Sequence, residues 1–462
     1  MTSKIILFLS VTLLCFSRLS GQSDLLKYDV TIYDSVQSKG YYFIFTYKMR
    51  KREAPGMGQQ MILDGNGHTL YYRITPKASD FKMHQNGMMS YFGGNKFMIM
   101  NSNFEIVDSV GCINGIETDN HDFIILPNGN YLLIGTKSRT EDLSSYRIFM
   151  QKKMPGSKHA KLKYGVVQEL DKNKKLLYKW DSETYFNILD ADELYLNDST
   201  SLDVTHFNSV EKDLNGNIYL SARYSNEVIK VDVSTGKLVW RMGGKKNQFH
   251  FENDSIPFLG QHDARIMKNG NLTLFDNGYG KEESKHNARA LEYAIDEKKM
   301  TARLVWSFEN EQTIISEATG NMQRLPNGNT LINYGKIANG TPNLTFEEIK
   351  ITKEKVISLS FSDTVGSYRA FHYSQLPFTI HQPIVKAKIK NGRYYLKVNK
   401  PHSGYSWSNG LNSQEIEITQ PGKYYVYVPY GDGGWISSKL IIVTNEMLSQ
   451  LQNATLSDQN RK

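Results

Sequence analysis

Three histidines, His121, His206 and His262, each stand at the head of an apolar run that leads into an Asn-Gly-Asn turn. Imidazole titrates near neutral pH, so such a side chain can attack an electrophile, carry a proton or bind an anion. Each has polar company at matching places along the chain. Asn208 and Ser209 follow His206, and Arg223-Tyr224 close the run that returns from its turn. Asp276-Asn277 hold the same place after His262, and Arg289 opens the next run. Guanidinium offers forked donors and imidazole and amide add single ones, a set that suits a small oxyanion such as a sulfate ester, a phosphate ester or a carboxylate. Two other readings stand beside this one. A histidine at the head of a strand also serves by bonding a neighbouring backbone. Metal binding needs closely spaced histidine or carboxylate ligands, and none accompany these three.

What must position them is a repeat. HDFIILPNGNYLLIG from His121, HFNSVEKDLNGNIYLSA from His206, HDARIMKNGNLTLFDNG from His262 and GNMQRLPNGNTLINYG from Gly320 each read as strand, turn and strand. Asn-Gly pairs accept the positive φ that a tight hairpin turn demands. Runs apolar on both faces, such as 123–126 and 131–134, fit strands sandwiched between neighbouring sheets. Further strands follow most copies, two of them ending on Trp240 and Trp306, and complete four-stranded units. A hairpin that cannot bury its own apolar face stacks against copies of itself, so the expected fold is all-β, a six-bladed β-propeller. In that architecture the heads of inner strands, the ends of second strands and the starts of third strands share one mouth of the channel. His121, His206 and His262 gather there, with His262, Asn277 and Arg289 as neighbours within one blade.

The rest of the chain bounds the function. Residues 1–21 carry Lys4, an apolar run and small residues near Ser20-Gly21, the layout of a cleaved signal peptide and too short for a membrane span. The mature protein is therefore expected to be exported, without stable membrane insertion. Cys15 falls in that segment, which leaves Cys112 with no disulfide partner and excludes a cysteine-based metal site. The net charge of +8 is spread over turn lysines such as Lys172, Lys174 and Lys175, with no basic stripe for nucleic acid. The propeller is expected over 22–383. Short alternating strands over 384–445, with Trp407 and the run 424–427 as core, predict a small immunoglobulin-like β-sandwich, followed by a polar tail, 446–462.

The strings DVTHFNSVEKD, GQHDARIMKNGNLTLFDNG, NARALEYAID, LVWSF and MQRLPNGNTLINYG resemble the arylsulfotransferase family over most of residues 25–380. The resemblance implies an exported propeller enzyme that moves a sulfuryl group from an aryl sulfate donor to a phenol acceptor, with no nucleotide and no other cofactor. It implies a ping-pong cycle through a sulfohistidine, with other histidines and an arginine cradling the sulfuryl oxygens. His206 matches the histidine of the family's His-x-Asn-Ser phrase and His262 that of its Gln-His phrase. Arg289 matches its arginine, with Lys281 as a competing placement. His121, Asn208, Asp276, Asn277, Arg223 and Tyr224 are then substrate-binding candidates, and Tyr224, Tyr279 and Tyr334 candidates for an aryl-binding wall.

One departure cuts against the match. The family's sulfated histidine lies between the tryptophan-ending outer strand and the next inner strand, and residues 309–321 here contain no histidine; Gln312 or Thr313 stands near the place. Three readings follow: a transferase in which His262 or His206 has become the nucleophile, an enzyme of related transfer or hydrolysis by direct attack, or a non-catalytic secreted propeller that binds an anionic or aromatic ligand or a partner protein.

Overall fold

The computed structural model describes residues 25–48, 58–75, 78–147, 155–197, 199–338, 343–361 and 365–449. The expected signal peptide, 1–21, lies outside these residues, as does most of the polar tail, whose described residues 446–449 belong to a helical turn, 445–449. The described chain is overwhelmingly β and forms two compact units. The larger comprises Leu25–His381 and Tyr430–Ile436; the described part of the other covers Gln382–Pro429 and 437–449. The stretch 384–445 is thus not wholly one unit. Its Tyr430–Ile436 segment pairs with the larger unit's strand Thr69–Thr75, Gly434 opposite Arg73 and Ile436 opposite Tyr71.

Among the described residues the larger unit holds six sheets of at least four strands. Their first strands are Val365–Tyr373, Ser79–Met83, Glu117–Ile125, Phe207–Lys212, His262–Ile266 and Asn321–Arg324. Each touches the next, and the last touches the first. Two long-range pairings tie chain start to chain end. Tyr41–Lys48 lies antiparallel to Val365–Tyr373, and Tyr28–Ile32 lies antiparallel to Lys355–Phe361. Apolar clusters fill the spaces between consecutive sheets, for example Phe97, Ile99 and Val110 against Phe123, Ile125 and Leu133. Strands such as Ile218–Ala222 and Leu272–Asp276 are buried at every residue, which is why they read as apolar on both faces.

The four Asn-Gly-Asn phrases make their turns by a narrower device than the expected one. Only the glycines, Gly129, Gly216, Gly270 and Gly328, take positive φ, between 82° and 89°. The preceding asparagine instead caps the turn in three copies: Asn128, Asn269 and Asn327 each accept the amide two residues on, at 3.0 Å. The second asparagine links sheets. Asn130, Asn271 and Asn329 donate to Glu169, Glu292 and Glu348. Those carboxylates bind Lys212, Arg324 and Tyr42 of the following sheet, each at 2.6 Å.

Buried ions knot the first strands together. Arg369 pairs with Asp80, Asp122 and Asp263 at 2.9, 3.2 and 3.4 Å, and Arg265 and Lys82 complete the set around Asp122. Burial alone would raise the Asp122 carboxyl. The charges of Arg265, Lys82 and Arg369 outweigh it and hold Asp122 below the usual carboxylate range.

In the smaller unit, strands Val385–Lys390, Arg393–Val398 and Glu415–Ile418 form one antiparallel sheet. Trp407, Tyr424, Val426 and Tyr427 are buried, Tyr425 of the same run is only partly so, and Trp407 donates its indole N–H to Ser413 O at 2.8 Å.

Candidate active site

The backbone bends at the heads of the first strands, where candidate residues lie. Asp80, His206, Asp263 and Thr319 all take positive φ, from 48° to 60°, and pairing registers slip beside the first three. A bulge at a strand head turns a side chain out of the sheet's regular alternation. His121 is reached differently. Its strand begins earlier, at Glu117, and a register shift between Leu133 and Gly135 on the partner strand falls opposite it.

His121 and His206 meet. Their ring centroids are 4.7 Å apart with planes at 74°. Each is held from behind by a carboxylate: Asp119 Oδ1 lies 2.5 Å from His121 Nδ1, and Asp203 Oδ2 lies 3.1 Å from His206 Nδ1. Asp119 also accepts the His121 amide and Asp203 the His206 amide, each at 2.8 Å, so the acids are fixed as firmly as the rings. Asp203 is delivered by the preceding sheet, where strand Ser201–Asp203 runs parallel to Lys161–Lys163. Gly165 on that sheet makes room, since a Cβ there would lie 2.1 Å from the Phe207 ring. Among the described residues the Nε2 atoms of His121 and His206 have no hydrogen-bond partner, and neither is sealed from solvent.

An aromatic ladder backs the pair. Tyr224 stacks on His206 at 4.4 Å and 5°, and Tyr195 stacks on Tyr224 at 4.1 Å. Arg223 lies over both tyrosines; its Nη2 donates to Glu317 O at 2.7 Å, while its buried Nε has no partner among the described residues. Tyr368 closes the other side, its ring 6.2 Å from that of His121 and its hydroxyl donating to His121 O.

The two imidazoles are pushed apart in basicity. Burial lowers the His206 pKa, and Asp203 only partly offsets burial and the neighbouring His121. At His121 burial acts in the same direction, but the charge and hydrogen bond of Asp119 outweigh it, and the pKa rises.

His262 is another case. Its Nδ1 faces Asn277 Oδ1 at 2.7 Å and Gly260 O at 3.0 Å, and its Nε2 accepts the Thr319 amide at 3.1 Å. Both ring nitrogens are thus engaged within the protein, at the residue the sequence offers beside His206 as a candidate nucleophile. Asn277, expected to bind substrate, is equally committed, donating to Ser316 Oγ and Thr319 O. Burial is the main reason the His262 pKa falls well below the ordinary value. The strap that takes its nitrogen is the end of the histidine-free segment 309–321. Thr319 holds φ 60°, an outlier for a β-branched residue, while Gln312 and Thr313 are exposed.

The remaining candidates scatter. Arg289 binds Asp276 at 2.7 Å, Asp254 at 3.1 Å and Ile256 O, so its guanidinium is spent within its own sheet and adjoining loop and makes no bond to His262. Asp276 is buried and also binds His286 and two backbone amides. Lys281 pairs with Glu193. Asn208 donates to Gln261 O at 2.7 Å, tying neighbouring strand heads. Tyr334 is buried with its hydroxyl on Glu347, away from any wall. Cys112 is partly buried and its thiol pushed up to about 12 by burial. Among the described residues no group of three or more His, Cys, Asp or Glu could hold a metal ion, and no helix is long and apolar enough to cross a membrane. Sequence reasoning missed Asp119 and Asp203. Their signal is short-range, an aspartate two or three residues before a strand-head histidine.

A family model described as Arylsulfotransferase (ASST) matches residues 31–369. Arylsulfate sulfotransferase AssT of Escherichia coli O6:H1 is 34% identical over 93 residues, which are 18% of this chain and 16% of that protein. Among solved structures, a protein of unknown function from Bacteroides caccae aligns with 72% of this chain and 98% of its own, at 11% identity and TM-score 0.45. A catalytically inactive virginiamycin B lyase from Staphylococcus aureus aligns with 90% of this chain and 100% of its own, at 10% identity and TM-score 0.30. The family model runs from within the first strand of the larger unit, Tyr28–Ile32, to the Arg369 of its ion knot, and the chain belongs to the arylsulfotransferase family.

Proposed function

We propose that this protein is an exported aryl sulfotransferase that moves a sulfuryl group from an aryl sulfate to a phenol acceptor where His121 and His206 meet. The observation that carries the reading is the pair of Asp–His dyads. Two imidazoles in ring contact, each fixed at Nδ1 by a carboxylate, leave two Nε2 atoms that have no partner among the described residues, beside the buried Arg223 guanidinium. A nucleophile and a proton carrier at one centre are what transfer between two phenolic oxygens requires. Arg223, rather than Arg289 or Lys281, is the cation beside the dyads and would hold the sulfuryl oxygens. Tyr224 and Tyr195 would face the aryl group. The architecture fitting this role is a six-bladed propeller followed by an immunoglobulin-like module, reached through a cleaved signal peptide. No cofactor enters.

The test is release of chromophore from para-nitrophenyl sulfate by purified mature protein, with and without added phenol. Phenol-dependent release that disappears in His206→Ala supports the reading. Saturable binding without turnover would replace it with that of a binding protein.

A further inference from the structure

The segment 309–321 carries no histidine, and its end occupies the free nitrogen of His262. Any nitrogen chemistry must therefore come from elsewhere. The two dyads are alike in construction and unlike in surroundings. His206 lies flat against Tyr224, beyond which stand Tyr195 and Arg223. His121 faces Asp119 on its own strand, Asp203 elsewhere on its own sheet, His206 on the next sheet, and Tyr368 and Arg369 on the strand Val365–Tyr373. Each ring has a carboxylate on Nδ1 and an arginine near it, but the carboxylate is closer at His121, 2.5 Å to Asp119 against 3.1 Å from His206 to Asp203, and Asp203 acts on His121 as well.

Building on the transferase reading above, we infer that the two dyads divide the labour: His206 Nε2 carries the sulfuryl group, and His121, held by Asp119, is the acid and base for the phenolic oxygens. In the first half, the His206 Nε2 lone pair attacks sulfur while the sulfur–oxygen bond to the aryl group breaks. The aryl oxygen keeps that electron pair and takes the proton from His121 Nε2. The sulfated His206 ring retains its Nδ1 proton and is cationic, and the Asp203 carboxylate balances it. In the second half, the acceptor phenol gives its proton to His121 Nε2 as its oxygen attacks sulfur, and the sulfur–nitrogen pair returns to His206. Atoms and charge balance with no further reactant. The opposed pKa directions of the two imidazoles agree with this assignment, a neutral ring for attack and a protonated one for the leaving group.

The test is leaving-group dependence. Phenyl sulfate, whose phenolate leaves poorly, needs the acid; para-nitrophenyl sulfate needs it far less. With His121→Gln, turnover of phenyl sulfate should fall by about 10²-fold or more, the usual worth of a positioned proton donor, while para-nitrophenyl sulfate should lose no more than about 10-fold. Asp119→Asn keeps the imidazole in place and should give the same signature in smaller size, so a folding defect in His121→Gln does not decide the matter. Equal losses for both esters, or none, in a wild type that turns both over would overturn the division of labour and leave the transferase reading standing. A wild type that turns over neither ester overturns both.

Discussion

His206 and His262 stand at corresponding places, each at the head of a first strand and each followed by a strand that leads into an Asn-Gly-Asn turn, yet the fold uses them in opposite ways. Among the described residues His206 is bonded on one ring nitrogen only, Nδ1, by Asp203. His262 is bonded on both, one side to Asn277 and Gly260 and the other to the Thr319 amide. Strand position decides where an imidazole sits. What reaches its second nitrogen decides whether it can react.

That contrast can be broken most sharply by deletion. His206→Ala should abolish transfer, at least about 10³-fold in kcat, while moving the thermal midpoint little, because its ring is a partly exposed end of the ladder. His262→Ala should do the reverse. It leaves the partly buried Thr319 amide without its acceptor, a loss of about 1–3 kcal/mol read from the urea midpoint, with kcat kept within about 10-fold. Should His262→Ala instead lose transfer at unchanged stability, the two histidines would have to exchange roles.

A pH profile sharpens the comparison. His206 must be neutral to attack and its pKa is lowered, so kcat should fall on acidification through a value below the ordinary histidine pKa of about 6.5. His121 must be protonated to serve as acid and its pKa is raised, so kcat should fall again as pH rises through a value above about 6.5. The profile is then a bell, and His121→Gln should remove its alkaline limb alone. The smallest effect concerns the ladder. Tyr224→Phe keeps the ring on His206 and should change kcat/KM less than about 2-fold, whereas Tyr224→Leu gives up a stacking contact of about 1 kcal/mol and should cost several-fold.

The same comparison shows what the sequence could tell. The hairpins were legible because glycine alone meets the positive φ at Gly129, Gly216, Gly270 and Gly328, and because strands buried on both faces are written in apolar letters. The placing of His206 and His262 at strand heads was legible for the same reason, whereas His121, expected at a head, lies inside its strand Glu117–Ile125. Their partners were not. Arg289 and Arg223 look equivalent in a string, and only the fold shows Asp276 and Asp254 taking one while the other lies over Tyr224 and Tyr195. The loss of His262 to the Thr319 amide rests on a backbone turn at φ 60° in a β-branched residue, which no sequence rule would assign. The strand inside Tyr430–Ile436 was likewise hidden, since its partner lies some 360 residues earlier, at Tyr71–Arg73.

The most direct measurement is to trap the carrier. Mature protein would be mixed with para-nitrophenyl sulfate in the absence of acceptor, quenched under alkaline conditions, and mapped by peptide mass spectrometry. A mass gain of one sulfuryl group on His206, discharged by added phenol, is the predicted result. A sulfuryl group on His262, or on any residue other than His206, would contradict the account.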